Sequence, residues 1–507
     1  MKRRALPWPL RALLALVVLA ALLLACRWLS AFVVGGQLTQ QARATAQAIR
    51  SGQPLWTWTL RRPQDVVAGR AFGAARLAAG NGALLATSRD GRPFELGLPI
   101  ARSVDLRDWP RLRLDYQADL PPHLQLLVRA APAAMVCRSA PIMLPASAGP
   151  GSVIDLRALG WRGDGDRPCT EIGSAWMLRL RWSLPAGRSI RLSAAALVED
   201  GPLQLADTPV AVPATGDALP DLHELPPGNL PWFALPSGAS AETLLAWRDR
   251  LQARWPAALI VPAGVSPFAP PRPAMSGIAG WGVLALYIVL LIACRSVRLH
   301  ARARAAIDLA ACLAGPVWLI AGLHWGGPGH APAVAATLAA LAYALSCWRL
   351  RAEVEPAAPL RGGRIASRMP GWIWGALAPV GVAVALGLGL GHGFAVPSPG
   401  HAVAYLAWAA LQQAFCLLIL LPRCRTWLGN DGLACLAVGA LFALMHTPNG
   451  ALMQCCLLAE TWWAFGYLRW RRFWPVVIGH AAAALLLEAS LTGILVRSLE
   501  VSARFLQ

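Results

Sequence analysis

Residues 276–294 read SGIAGWGVLALYIVLLIAC, a run with no charged residue and close to the roughly 17–25 residues that a membrane-spanning helix needs. Further apolar runs lie at 13–25, 305–323, 331–348, 371–391, 400–421, 433–447, 450–468 and 474–496, with 433–447 short. Together they predict an α-helical polytopic membrane bundle of about nine transmembrane helices. Between the runs the arginines alternate. Arg295, Arg298, Arg302 and Arg304 form one basic loop; Arg349, Arg351, Arg361, Arg364 and Arg368 form the next; Arg423 with Arg425 and Arg469 with Arg471 and Arg472 follow. The connections around 324–330, 393–399 and 447–450 carry no Lys or Arg. The positive-inside rule then sets the N-terminal MKRR in the cytoplasm, residues 35–270 outside it and the C-terminus outside. That is the layout of a multi-pass protein of a bacterial-type inner (plasma) membrane.

Composition agrees. Only 14% of the 507 residues are charged and 56% are hydrophobic, against about 25% charged in a soluble domain. The net charge of +20 comes from arginines and one lysine, Lys2. Because many arginines flank apolar runs, they suit headgroups and topology rather than nucleic acid, which is not expected as a partner. The N-terminal run reads as an uncleaved anchor, in preference to a signal peptide, because Leu24 and Arg27 spoil the cleavage pattern around Cys26. Of eleven cysteines, nine lie in or beside apolar runs, where a thiol packs as a small apolar residue. Cys137 and Cys169 lie in the soluble part, and their spacing leaves a disulfide and two free thiols equally open.

Five segments follow: an anchor (1–34), an exported domain (35–200), a Pro-rich linker with a short helix (201–275), accessory helices (276–369) and a C-terminal transmembrane domain (370–507). In the exported domain, Leu112, Leu114 and Tyr116 alternate with charged residues, as do Leu178, Leu180 and Trp182. Leu124, Leu126 and Val128, then Ile190 and Leu192, repeat the period of a half-buried strand. An all-β sandwich inserted after the first helix is expected, similar in look to galactose-binding-like sandwiches. Trp109 and Trp161 would stack on a sugar if exposed, but the preferred reading makes them core. Residues 241–254 have helical spacing, and Pro256 stops that helix.

Titratable groups in an apolar bundle are functional candidates because their burial is costly. Here they are Gln412 and Gln413 on one run, His446 at the end of another, Glu460 on a third, and His480 and Glu488 on a fourth. At about 1.5 Å per residue, Gln412, Glu460 and His480 lie ~13, ~12 and ~9 Å from the cytoplasmic ends, and His446 ~20 Å. Polar groups on four helices at similar depth would meet in one buried site. The competing reading is that they hydrogen-bond only to hold helices together.

The sequence FALMHTPN (442–449) resembles the second motif of the CPBP family, the CAAX-processing and bacteriocin-processing intramembrane proteases, in its Phe442 and His446. The stretch AFGYLRWRRFWPVVIGHAAAAL (464–485) is similar to the family's third region through Gly466 and His480, and LQQAFCLLIL (411–420) occupies the place of its first motif. The resemblance implies endopeptidase action on membrane-associated protein or peptide substrates, with a Glu activating water, histidines orienting it and an Asn binding the oxyanion. Three positions depart: Gln412-Gln413 replaces the Glu-Glu pair, Leu417 the arginine and Ala484 the Asn. A glutamine cannot serve as a general base. The expected site is therefore His446 and His480 with Glu460, less readily Glu488, supplying the carboxylate, and with Gln412, Gln413 and Phe442 at family-motif positions. Two histidines and a Glu also make a zinc set, but HEXXH spacing is absent and no cofactor is expected. Two other readings stay open: a catalytically inactive member serving as a membrane scaffold or binding protein in envelope processes, with envelope glycan or protein meeting the exported domain; and a transport or assembly subunit, which no paired broken helices support.

Overall fold

The computed structural model describes residues 8–148, 153–169, 173–214, 218–220, 229–273, 277–327, 329–349, 373 and 375–506. The basic N-terminus at 2–4, the arginines at 351–368 and part of the proline-rich stretch fall outside these residues. The chain divides into two compact units.

The larger part of one unit is β. One antiparallel sheet runs through Ser147–Ala148, Arg111–Ala118, Ser189–Val198, Ala83–Ser88 and Ala75–Gly80; the other runs through Trp161–Arg162, Cys137–Ser139, His123–Arg129, Met177–Ser183 and Phe94–Leu98. The alternation seen in the sequence decides which faces meet. Leu112, Leu114 and Leu192 of the first sheet and Leu126, Leu180 and Trp182 of the second are at most 1% exposed and share one core. Trp109 and Trp161 belong to that core, at 0% and 9% exposure, so neither offers a face to a sugar. Cys137 and Cys169 are joined in a disulfide with Cα atoms 6.1 Å apart. Within the stretch that the sequence reads as a linker, the described residues form a small parallel sheet. Trp232–Leu235 pairs with both Val210–Ala211 and Leu259–Pro262, and the helix Ala241–Arg254 connects the strands. Its strands are two to four residues long, too short for an alternating pattern to stand out from the flanking prolines.

The helices are α1 (Trp8–Arg50), α2 (Ala241–Arg254), α3 (Gly277–Ser296), α4 (Ala301–Ile320), α5 (His330–Arg349), α6 (Ala378–Leu390), α7 (Pro399–Gln413), α8 (Leu421–Leu428), α9 (Asp431–Leu444), α10 (Gly450–Trp470) and α11 (Trp474–Ser490). Among the described residues, five helical spans have the length and apolarity to cross a membrane: Leu13–Arg50, Ile278–Ser296, Ala301–Ile320, His330–Cys347 and Pro399–Leu428. Helices α6, α9 and α11 are apolar but shorter. Helix α10, at 21 residues, carries Gln454, Glu460 and Arg469. The 474–496 run ends as a helix at Ser490, and the chain turns at 491–496 around Gly493, whose φ is +86°.

One correction concerns Arg423, expected in a basic loop but lying within α8. It is 2% exposed, and its Nε lies 3.4 Å from Asp308 Oδ2 on α4. Tyr343 on α5 donates to Asp308 Oδ1 at 2.8 Å, and Arg423 Nη1 donates to Ile419 O. A buried ion pair stripped of one partner leaves an uncompensated charge. Asp308→Ala is therefore expected to cost about 3–5 kcal/mol of stability, read as a fall in unfolding midpoint in detergent. Asp308→Leu combined with Arg423→Met should recover most of that loss; a single variant as stable as wild type would contradict the pairing.

Candidate active site

Four elements carry the polar cluster. Helix α7 ends at Gln413, and the next seven residues, Ala414–Leu420, are π-helical before α8 begins. Short π segments are frequent at functional sites, and this one contains Leu417, at the place of the family arginine. Helix α9 ends at Leu444, so His446 sits in the turn before Asn449 caps α10 by accepting from Leu452 N. That turn is tied to the C-terminal residues: Ser502 N donates to Thr447 O at 2.7 Å and Asn449 Nδ2 donates to Ser498 O at 2.6 Å. Gly439 lets α9 and α10 approach, since a Cβ there would lie 2.8 Å from Leu457 O and closer still to Thr461 Oγ1.

Gln413, Glu460 and His480 meet. Gln413 Nε2 donates to Glu460 Oε2 at 2.7 Å and lies 3.1 Å from His480 Nδ1. Gln413 and Glu460 are 0% exposed and His480 is 6% exposed. A carboxylate only accepts, so the amide must turn its NH2 group toward Glu460; His480 Nδ1 then accepts and its Nε2 carries the proton. Trp463 stacks on the His480 ring with centroids 5.3 Å apart. Phe442 stands edge-on to both histidines, at 4.7 Å from His446 and 5.6 Å from His480. His446 Nδ1 is 2.8 Å from Phe442 O, an acceptor, so Nδ1 donates and Nε2 carries a lone pair that has no hydrogen-bond partner among the described residues. Gln413 Oε1 and Glu460 Oε1 are buried with no hydrogen-bond partner among the described residues.

The other candidates lie elsewhere. Gln412 is half-buried beside the cluster. Glu488 Oε2 lies 2.9 Å from His401 Nε2, with both side chains over 40% exposed, and among the described residues it makes no hydrogen bond to His446 or His480. Among the described residues no group of three His, Cys, Asp or Glu side chains is arranged to hold a metal, and the amide of Gln413 occupies the lone pair of His480 Nδ1. Reading the sequence missed Gln413 as the bridge, Trp463 as the stacking partner and Asp308 as a buried acid. Asp308 was findable, being the only acidic residue in its apolar run.

A family model described as type II CAAX prenyl endopeptidase Rce1-like matches residues 399–486. The C-terminal bundle resembles that family. The matched span holds Gln413, Phe442, His446, Glu460 and His480, so the CAAX-endopeptidase-like region and the polar cluster coincide. No curated protein matches the chain. Solved structures of variants of a family 29 carbohydrate-binding module match with 12% identity. One covers 24% of this chain and 76% of that chain at a TM-score of 0.16, and another covers 28% and 90% at 0.17. Likenesses of this size assign no ligand to the β unit.

Deleting the amide would strand a buried carboxylate and an imidazole together. A double-mutant cycle of Gln413→Leu and Glu460→Leu, followed by thermal unfolding, is expected to give a coupling of about 1–3 kcal/mol. Additive effects would contradict the contact.

Proposed function

We propose that the C-terminal bundle is a CAAX-type intramembrane endopeptidase, embedded in a lipid bilayer and cutting membrane-associated protein or peptide substrates, with its carboxylate moved from α7 to Glu460 on α10. The supporting observation is the hydrogen bond from Gln413, at the family's second Glu position, to Glu460, whose other oxygen is buried and free to accept. In this reading Glu460 Oε1 takes a proton from water as the water oxygen adds to the scissile carbonyl. The free Nε2 of His446 accepts the second water hydrogen and orients the nucleophile. His480 Nε2–H donates to the developing oxyanion, the role that Asn has in the family and Ala484 cannot fill. Collapse breaks the C–N bond, and the proton on Glu460 passes to the leaving amine. The arginine pattern supports an inner-membrane protein with the N-terminus cytoplasmic and residues 35–270 outside, and a disulfide in the β unit suits an oxidising exterior.

A second reading has its own support. Gln412-Gln413 and Ala484 remove both the base and the oxyanion donor of the family pattern. On that reading the bundle is a catalytically inactive scaffold that binds a membrane segment, with the β unit recruiting envelope partners.

A cleavage assay in membranes separates the two, using candidate substrates found by comparing membrane proteomes with and without the gene. Wild type is expected to cut, and Glu460→Gln and His480→Ala, if folded, to lose roughly 10²–10⁴-fold in rate. An undiminished Glu460→Gln enzyme would remove Glu460 from the chemistry. A wild type that cuts nothing, yet still captures partners as the Glu460→Gln variant does, would favour the scaffold.

A further inference from the structure

The β unit holds a cavity of about 410 Å³ beside the strand Trp56–Thr59, lined among others by Trp56, Thr57, Trp58, Thr59, Asp65 and Arg102. Its volume is that of a small-ligand site. Its walls are fastened together. Trp58 Nε1 donates to Pro99 O at 2.8 Å, tying the strand to the segment that carries Arg102. The guanidinium of Arg102 lies over the Trp56 ring, 5.3 Å from its centroid.

The polar groups here are unevenly matched. Asp65 is already satisfied: its carboxylate accepts from Arg61 N at 2.8 Å, Arg62 N at 3.0 Å and Arg62 Nε at 3.3 Å. Arg102 has neither an ion pair nor a hydrogen bond among the described residues, only the aromatic face beneath it. Burial pulls its pKa down, which is the mark of a cation that lacks a counter-charge. Trp56 is 6% exposed, and its indole N–H is buried without an acceptor among the described residues. The strand alternates, so Trp56 and Trp58 are buried while Thr57 and Thr59 are exposed. The half-buried guanidinium of Arg102, which lacks a counter-charge, and the exposed threonines beside it are able to donate. They suit a group that accepts several hydrogen bonds and carries negative charge.

We propose that this cavity binds the oxyanion of a small polar ligand, a phosphate or a carboxylate, with Arg102 as its counter-ion. The site is separate from the polar cluster of the helical bundle and does not depend on whether that cluster is catalytic.

The test is calorimetric titration of the full-length protein in uncharged detergent with three probes. Inorganic phosphate and glucuronate represent free anions, and sn-glycerol 3-phosphate represents a lipid headgroup. At least one probe is expected to bind wild type. Arg102→Gln should weaken it at least about tenfold, Arg102→Lys should retain part of the affinity, and Arg191→Gln, a change outside the cavity lining, should leave it unchanged. Preferential binding of the glycerol ester would identify a headgroup as the source, and binding of phosphate or glucuronate a free anion. Should Arg102→Gln fail to fold, Arg102→Lys must itself bind more weakly than wild type. No heat with any probe, or an affinity in Arg102→Gln (or, should that variant not fold, in Arg102→Lys) equal to wild type, would overturn the proposal.

Discussion

A side-chain amide that donates at once to a carboxylate and an imidazole sets the interior of the helical unit. Gln413 has two N–H groups, and both are engaged, one on Glu460 Oε2 and one on His480 Nδ1. In an apolar interior each of these groups is costly without a partner. The helices that carry them must therefore hold the relative positions at which the bonds form. Much of the surrounding packing reads as a consequence: the missing Cβ at Gly439, the π-helical segment after Gln413, and the aromatic rings of Trp463 and Phe442 against the histidines.

The same bridge explains how a chain can resemble a protease family and lack its first motif. Replacing Glu with Gln at 413 removes one carboxylate of the family pair but supplies donors, and a donor is what a carboxylate on the neighbouring helix requires. Glu460 and Gln413 are thus complementary, as a carboxylate pair at those positions would not be, because two like charges at hydrogen-bond distance repel. This complementarity fits a relocated carboxylate. It equally leaves His480 with a settled tautomer, its Nε2–H available to donate.

Much of this is legible in the amino-acid sequence. Alternation in Arg111–Ala118 and Met177–Ser183 marks the strands and their buried faces, because one face of each meets a shared core. Depths counted along separate apolar runs bring Glu460 and His480 to within about 3 Å of one another, since a helix rises a fixed distance per residue. What stays hidden depends on partners distant in sequence. Arg423 reads as a topological charge because nothing local reveals that Asp308 and Tyr343 neutralise and bury it. Glu488 reads as a competing carboxylate because its partner, His401, lies on another helix. The π-helical turn leaves no periodic trace in an all-apolar stretch, and the amide bridge depends on which way α7 faces.

The central claim is that the working carboxylate lies on α10, and moving it across to its contact partner on α7 is the most direct measurement. Cleavage of a membrane substrate would be compared for wild type, Glu460→Gln, and Glu460→Gln combined with Gln413→Glu. A relocated site predicts that Glu460→Gln is inactive and that the second change restores part of the rate, because the two positions are in direct contact. Full activity in Glu460→Gln alone would contradict the account.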